Sequence, residues 1–379
     1  MTQSSVALVR CDTYAADQVY AALRRGVDLL GGLERFVRPG ERILLKPNIL
    51  TCEPPEKAVT THPTVLAGCA RLLQEGGARV VFGDSPGLDD PLKAAKRAGL
   101  YQAGEQSGAT FVDFSKAGRL DNRGGDLVDH FPVAQPLLAC DGMINLAKMK
   151  THQLTRLTGA VKNMYGCISG RRKALYHVQF QDVMDFCRLL VELNKTLRPR
   201  LHVLDGIVAM EGNGPGSGDP KPLRVLVMSE DPVAADATFS RLVGLDTQFM
   251  PTTVLGQELG LGQFENIAYL GDGLEDLRVP DFKVIRKPVY SNASYAHYDF
   301  IKTLVLSRPV IDETRCIKCG RCVEACPVPD KALSFVNGRK QPPVYDYKMC
   351  IRCYCCHEMC PQQAIEKRTP LLGRIFNFE

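Results

Sequence analysis
The stretch Cys316-Ile317-Lys318-Cys319-Gly320-Arg321-Cys322-Val323-Glu324-Ala325-Cys326-Pro327 is answered further along by Cys350-Ile351-Arg352-Cys353-Tyr354-Cys355-Cys356-His357-Glu358-Met359-Cys360-Pro361. Both strings read C-x-x-C-x-x-C-x-x-x-C-P, the spacing that wraps a chain around two cubane 4Fe-4S clusters. The x-x-x step carries the fourth cysteine onto a short helix pointing across the module, so it ligates the cluster of the other string. The expected ligand sets are Cys316, Cys319, Cys322 and Cys360 for one cluster, and Cys350, Cys353, Cys356 and Cys326 for the other. The segment is expected to carry electrons.

Zinc is the rival occupant of C-x-x-C pairs, but a tetrahedral zinc site has no use for a third cysteine at the same step followed by C-P, twice over. A disulfide framework belongs mostly to short secreted chains, and this one has 379 residues. Thr2, Gln3 and Ser4 run directly into a strand-like Val6-Ala7-Leu8-Val9 with no signal-peptide pattern, so a cytoplasmic location is expected. At 45% hydrophobic residues the composition is that of a globular protein. No apolar run approaches the roughly 18 residues of a membrane span. The formal charge of +5 counts cysteines as neutral. Two oxidised clusters with their thiolates add about four negative charges and bring the total to about +1, so no basic nucleic-acid face is expected.

Ahead of the cysteine strings, short apolar runs alternate with segments of helical spacing. Residues 6–9, 43–45, 80–82, 143–146, 203–204 and 225–227 read as buried strands, and 17–31, 64–76, 155–166, 178–198 and 232–243 as helices. This alternation predicts an α/β domain, a largely parallel sheet with helices on both faces, over 1–308. A small α+β two-cluster ferredoxin-like domain follows over 309–368, then an apolar tail, 369–379, suited to packing over a cluster or onto the first domain. Ligands of such sheets bind beyond the carboxyl ends of the strands. Those ends are polar here: Lys46-Pro47-Asn48, Gly83-Asp84-Ser85, then Lys148, Lys150, Thr151 and His152, then Asp205-Gly206 and Glu211 to Gly218.

Lys46-Pro47-Asn48, Thr61-His62-Pro63, Lys150-Thr151-His152, 157–163 ending in Lys162-Asn163, Asp205-Gly206 with Glu211-Gly212, and 231–236 from Asp231-Pro232 to Asp236 resemble the signature of the iron-sulfur proteins catalogued as domain of unknown function 362. With the bacterial-type two-cluster ferredoxin module, the resemblance covers nearly the whole chain. It implies a cytoplasmic 4Fe-4S protein, often of anaerobic metabolism, and names no substrate.

Candidate site residues follow from side-chain chemistry at the strand ends. Lys46, Lys148, Lys150 and Lys162, with Asn48, Asp84, Asn163 and Asn213, are candidates to hold an anionic small molecule. Lys162 stands out because its neighbours Leu157, Ala160, Val161 and Met164 are apolar. His62, His152 and Glu211 are the candidate proton-handling groups. The glycine-rich stretch 212–218 reads as a phosphate cradle or a flexible lid, though it matches neither G-x-G-x-x-G nor a Walker loop. Arg171-Arg172-Lys173 reads as a solvated run. Cys11, Cys52, Cys69, Cys140, Cys167 and Cys187 read as packing cysteines, and Cys355 as a spare thiol. No flavin or nicotinamide fingerprint is present; a flavin without a fingerprint remains open.

Two functions fit. One is an oxidoreductase that takes low-potential electrons from a redox partner protein, through the clusters, to an anionic substrate or cofactor at the strand ends. The other is a non-catalytic electron carrier or assembly partner whose first domain docks another protein. A third, non-redox chemistry like that of some metal-dependent racemases, is selected by no residue.

Overall fold
The computed structural model describes residues 3–170, 172–289 and 306–375. In the first domain the strands are β1 (Ser4–Arg10), β2 (Arg42–Lys46), β3 (Arg79–Phe82), β4 (Thr110–Phe111), β5 (Ala117–Asp121), β6 (His130–Ala134), β7 (Gly142–His152), β8 (Arg156–Thr158), β9 (Leu201–Glu211), β10 (Asp219–Ser229) and β11 (Ile267–Gly271). Nine form one sheet, ordered β11-β1-β10-β9-β7-β2-β3-β4, with β8 paired to the end of β7. From β9 to β4 all neighbours on this path are parallel. β10 runs antiparallel to both of its neighbours. The sheet is largely parallel, as expected.

The apolar runs split by strand period between two layers. Ile43 and Leu45 of β2 join Leu23, Leu66 and Leu73 on one face, while Leu44 joins Phe186 and Leu190 on the other. The first face is covered by the helices Ala16–Leu29 and Pro63–Glu75, the second by Val183–Leu197 and Pro232–Leu242. Their starts are set by caps: Asp231 Oδ1 accepts from the N–H groups of Val233 (2.8 Å) and Ala234 (3.0 Å), with Pro232 at the first helical position.

Two expected helices differ. Residues 155–166 open as β8 and only then turn into the short helix Ala160–Asn163, because Leu157 pairs with Thr151 and Thr158 with Lys150. Asp236, on the helix Pro232–Leu242, receives the Ala160 (2.5 Å) and Val161 (3.1 Å) N–H groups and so holds that short helix in place. The span 178–198 is broken near Asp182, which caps Val183–Leu197; the turn before it ends a separate helix, Arg172–Gln179.

The second module carries β12 (Arg308–Ile311), β13 (Leu333–Ser334), β14 (Val336–Arg339), β15 (Val344–Tyr345) and β16 (Ile365–Arg368). β12 pairs with β16 and β13 with β15, both antiparallel. The helices Arg321–Ala325 and Cys355–Glu358 lie within the two cysteine strings. The tail is described only to residue 375. There Leu371 and Leu372 are exposed; residues 376–379 of the expected tail lie outside the described residues.

Arg321 grips Asp89 of the first domain with two hydrogen bonds of 3.0 and 3.1 Å. The stretch 212–218 is the other seam. A Cβ on Gly216 would stand 2.6 Å from the Glu358 carbonyl oxygen, and Asn213 Oδ1 meets His357 Nε2 at 2.7 Å. Gly216 admits the second module's backbone.

Candidate functional site
The cysteines of the two strings surround two separate hollows. Cys316, Cys319, Cys322 and Cys360 line one, and Cys326, Cys350, Cys353 and Cys356 the other. Among the described residues no three His, Cys, Asp or Glu side chains crowd around one point as a single ion requires. The two strings repeat the same backbone device: Lys318 and Gly320 in the first, Arg352 and Tyr354 in the second, all have positive φ. Donors reach the sulfurs in matching fashion, Ala332 N to Cys326 Sγ and Ala364 N to Cys360 Sγ, each at 3.3 Å. Tyr345 adds its hydroxyl to Cys356 Sγ at 3.2 Å. Four thiols per hollow, apolar walls and hydrogen bonds to sulfur are the surroundings a 4Fe-4S cube needs.

Between the strand ends and the second string lies a cavity of about 130 Å³. Asn48, Asp84, Lys148, Lys150, Lys162 and Asn163 line it from the first domain; Ala325, Cys355, Glu358 and Met359 close it from the second. β7 runs on through His152, beyond the apolar run, and its period of two puts Lys148, Lys150 and His152 on one face. On the opposite face Ala147 and Met149 enter the core.

Most of these cations are already bound. Lys46, just behind the cavity wall, pairs with Asp84 at 2.7 Å and reaches Asn163 Oδ1 at 3.2 Å. Lys148 pairs with Asp205 at 2.9 Å and donates to the Tyr14 hydroxyl at 2.8 Å, which itself donates to Asp205 Oδ1 at 2.8 Å. Burial pushes Lys148 below its usual range while Asp205 opposes the shift. Lys150 donates to Asn48 Oδ1 (2.7 Å) and the Val59 carbonyl (2.8 Å), with no carboxylate among these partners. Burial, then the nearby Lys162 charge, brings it down to about 7. Lys162 is half-buried and, among the described residues, has neither carboxylate nor hydrogen-bond partner; its ammonium stands 5.5 Å from the Tyr165 ring centre.

Of the expected proton-handling groups only His152 lines the cavity. His152 Nδ1 accepts from Leu154 N (3.1 Å) and Thr155 N (3.3 Å), so the proton sits on Nε2, which donates to Glu358 Oε1 at 3.0 Å. Burial brings His152 down to about 4. With both nitrogens engaged, it braces the second module. Burial disfavours the Glu358 carboxylate, yet the His152 N–H and the Lys162 charge hold it below the usual range.

His62 lies outside the cavity lining. It stacks on Tyr14 at 3.5 Å and its Nδ1 meets the Thr64 hydroxyl at 2.8 Å. Glu211 also lies off the cavity, receiving the Lys283 backbone N–H at 2.8 Å. Asn213 is spent on the module seam. Asn48, Asp84, Lys148, Lys150, His152, Lys162 and Asn163 do come together, with Lys46 directly behind them.

Sequence reasoning missed four contributors. Lys173 is half-buried and donates to Ser85 Oγ at 2.8 Å and Pro86 O at 2.7 Å, and desolvation takes it down to about 7. Its run had the look of a solvated loop; Arg171 of that run lies outside the described residues. Glu358, Tyr14 and Cys355 also escaped. The only signal for Glu358 was an acid inside the second string, and Glu324 holds the same place in the first while exposed to solvent.

Comparison with known proteins places these residues in context. The model of the domain of unknown function DUF362 matches residues 43–241, and that of a 4Fe-4S dicluster domain matches 308–361. The chain belongs to the DUF362 family. The thylakoid-associated protein sll1697 of Synechocystis sp. is 37% identical over 258 residues, covering 68% of this chain and 80% of that protein. This DUF362 chain binds 4Fe-4S through its second module, and among the described residues no helix is long and apolar enough to cross a membrane. Two solved structures have a TM-score of 0.38. A Thermotoga maritima protein is 13% identical, over 66% of this chain and 60% of that one. The lactate racemase apoprotein of Thermoanaerobacterium thermosaccharolyticum is 12% identical, over 61% and 55%. At these values neither structure bears on the chemistry.

Proposed function
We propose that the protein is an oxidoreductase whose two 4Fe-4S clusters deliver low-potential electrons to an anionic small molecule or cofactor held in the cavity between its modules. The observation that carries this is the shared wall: Cys355, flanked by the ligand candidates Cys353 and Cys356, lines the same cavity as Lys162. The clusters supply single electrons, with the cysteines of the two hollows as their ligands. Lys162 attracts the anion, since its charge reaches Glu358 without forming an ion pair with it. Lys150 and Lys173, both brought down to about 7 and so about half-protonated at pH 7, are able to release or take a proton as charge on the bound molecule changes. Lys46–Asp84 and Lys148–Asp205 keep the strand ends in register, because breaking a buried pair costs about 3–5 kcal/mol. His152 and Glu358 hold the second module against the cavity.

Anaerobic purification tests the proposal, with iron and sulfide counting, EPR after dithionite reduction and mass spectrometry of whatever denaturation releases. About eight irons, with an organic anion released from the wild type and absent from Lys162→Ala, is the expected result. Eight irons and no small molecule from either protein would favour the electron-carrier reading, and an iron count near zero would sink both.

A further inference from the structure
The two cysteine strings face different surroundings. In the second, Cys350 and Cys356 are buried, as is Cys326, which shares their hollow. In the first, Cys316 and Cys319 are half-exposed, and Ile317 between them is 59% exposed. The chain from β14 to β15 lies beside the first string: Pro343 lines the same hollow, and a Cβ on Gly320 would stand 3.1 Å from Arg339 Nη2. That segment presents Val336 (72% exposed) and Val344 (57%) together with the exposed Arg339 and Lys340. Large apolar side chains this open beside a redox site suit a transient protein contact. Lys318 adds a third cation. Among the described residues none of the three pairs with a carboxylate, whereas Arg315 close by is neutralised by Asp312 and Glu366.

Resting on the two-cluster reading above, we infer that this face, Ile317 and Val344 rimmed by Lys318, Arg339 and Lys340, docks an acidic electron-carrier protein of the small ferredoxin class. The uncancelled positive rim selects the acidic occupant by charge complementarity and speeds its encounter. In the docked pair one electron leaves the carrier, which is oxidised by one unit, and reduces by one unit the cluster belonging to Cys316, Cys319, Cys322 and Cys360. No bond forms and no proton moves. The second string, against the cavity, is then the exit, so electrons run from the exposed half to the enclosed half.

The test measures binding of the cluster-loaded protein to a purified acidic 4Fe-4S ferredoxin, as Kd at low and high salt, for the wild type and for Lys318→Glu/Arg339→Glu/Lys340→Glu. A Kd raised at least tenfold in the variant, with its salt dependence flattened, is the expected result. Val344→Asp should weaken binding at both salt concentrations. Unchanged affinity in the charge variant, or tighter binding of a basic cytochrome than of the ferredoxin, would overturn the docking face. Iron counts on the same samples keep the two ideas apart: iron-free wild-type protein overturns the two-cluster reading, while altered binding at full iron content speaks to the face alone.

Discussion
The two halves of the cysteine module share one spacing and one backbone device, yet they sit in opposite surroundings. Glu324 and Glu358 occupy the same step of their strings; the first is exposed, and the second is pressed against the sheet domain with His152 on its carboxylate. Ile317 and Ile351 also correspond, and only Ile317 is open to solvent. Spacing determines which side chains hold iron. What each half does depends on what the rest of the chain lays against it.

The harshest way to break this comparison is to remove one ligand from each half. Cys316→Ala should lose about half of the iron and sulfide and leave the inter-module cavity walled as before. Cys356→Ala should lose a similar share and, because the helix Cys355–Glu358 forms the cavity wall, should release any bound anion as well. Iron assays and mass spectrometry on both proteins check it; equal retention of the anion would mean that the halves are equivalent after all.

A gentler cut uses the two glutamates. Glu358→Ala removes a charge-assisted hydrogen bond in a nearly enclosed place and should cost roughly 1.5–3 kcal/mol. Glu324→Ala, on the exposed helix face, should stay within about 0.5 kcal/mol. Anaerobic denaturant unfolding of both variants gives the difference. If the two costs match, the His152–Glu358 contact contributes nothing and the seam rests on Arg321–Asp89 and Asn213–His357.

How much of this was legible follows from the same contrast. The cysteine spacing is local, so it could be read from one dozen-residue string, and the buried strands could be read because fully buried parallel strands are continuous apolar runs. That helices cover both faces followed from the alternation of the runs. The cavity is different. Its wall joins Lys150 to Glu358, which lies more than two hundred positions away in the chain, and nothing local distinguishes Glu358 from Glu324. Lys173 was misread because a run of three cations usually means solvent. His152 was given a proton-handling role from its place beyond a strand; that the N–H groups of Leu154 and Thr155 take its Nδ1 could not be read there.

Lys162 sharpens the comparison from the cavity side. Half-buried and without a carboxylate, it should tolerate Lys162→Ala with a stability change within about 0.5 kcal/mol and an unchanged iron count, while the cavity loses its anion. A drop in stability comparable to that of Glu358→Ala would make Lys162 part of the scaffold.

The last expected effect is a slope with pH. Lys150 is brought down to about 7 in the folded protein, against about 10.4 in an unfolded chain. Below pH 7 it is charged in both states, and the cost of burying that charge is fully present. As pH rises through 7 the folded state sheds the proton first, so the cost is relieved and stability rises until the unfolded chain also loses its proton near pH 10. Lys150→Met keeps the bulk without the charge and should lack this term. The wild type should therefore gain on the variant by up to about 1.4 kcal/mol per pH unit between pH 7 and 9, read as unfolding midpoints at pH 6.5, 7.5 and 8.5. A flat difference would mean that Lys150 stays charged on its two oxygen acceptors. The enclosed half would then face a permanently cationic wall, and the proton role given to Lys150 would fall to Lys173 alone.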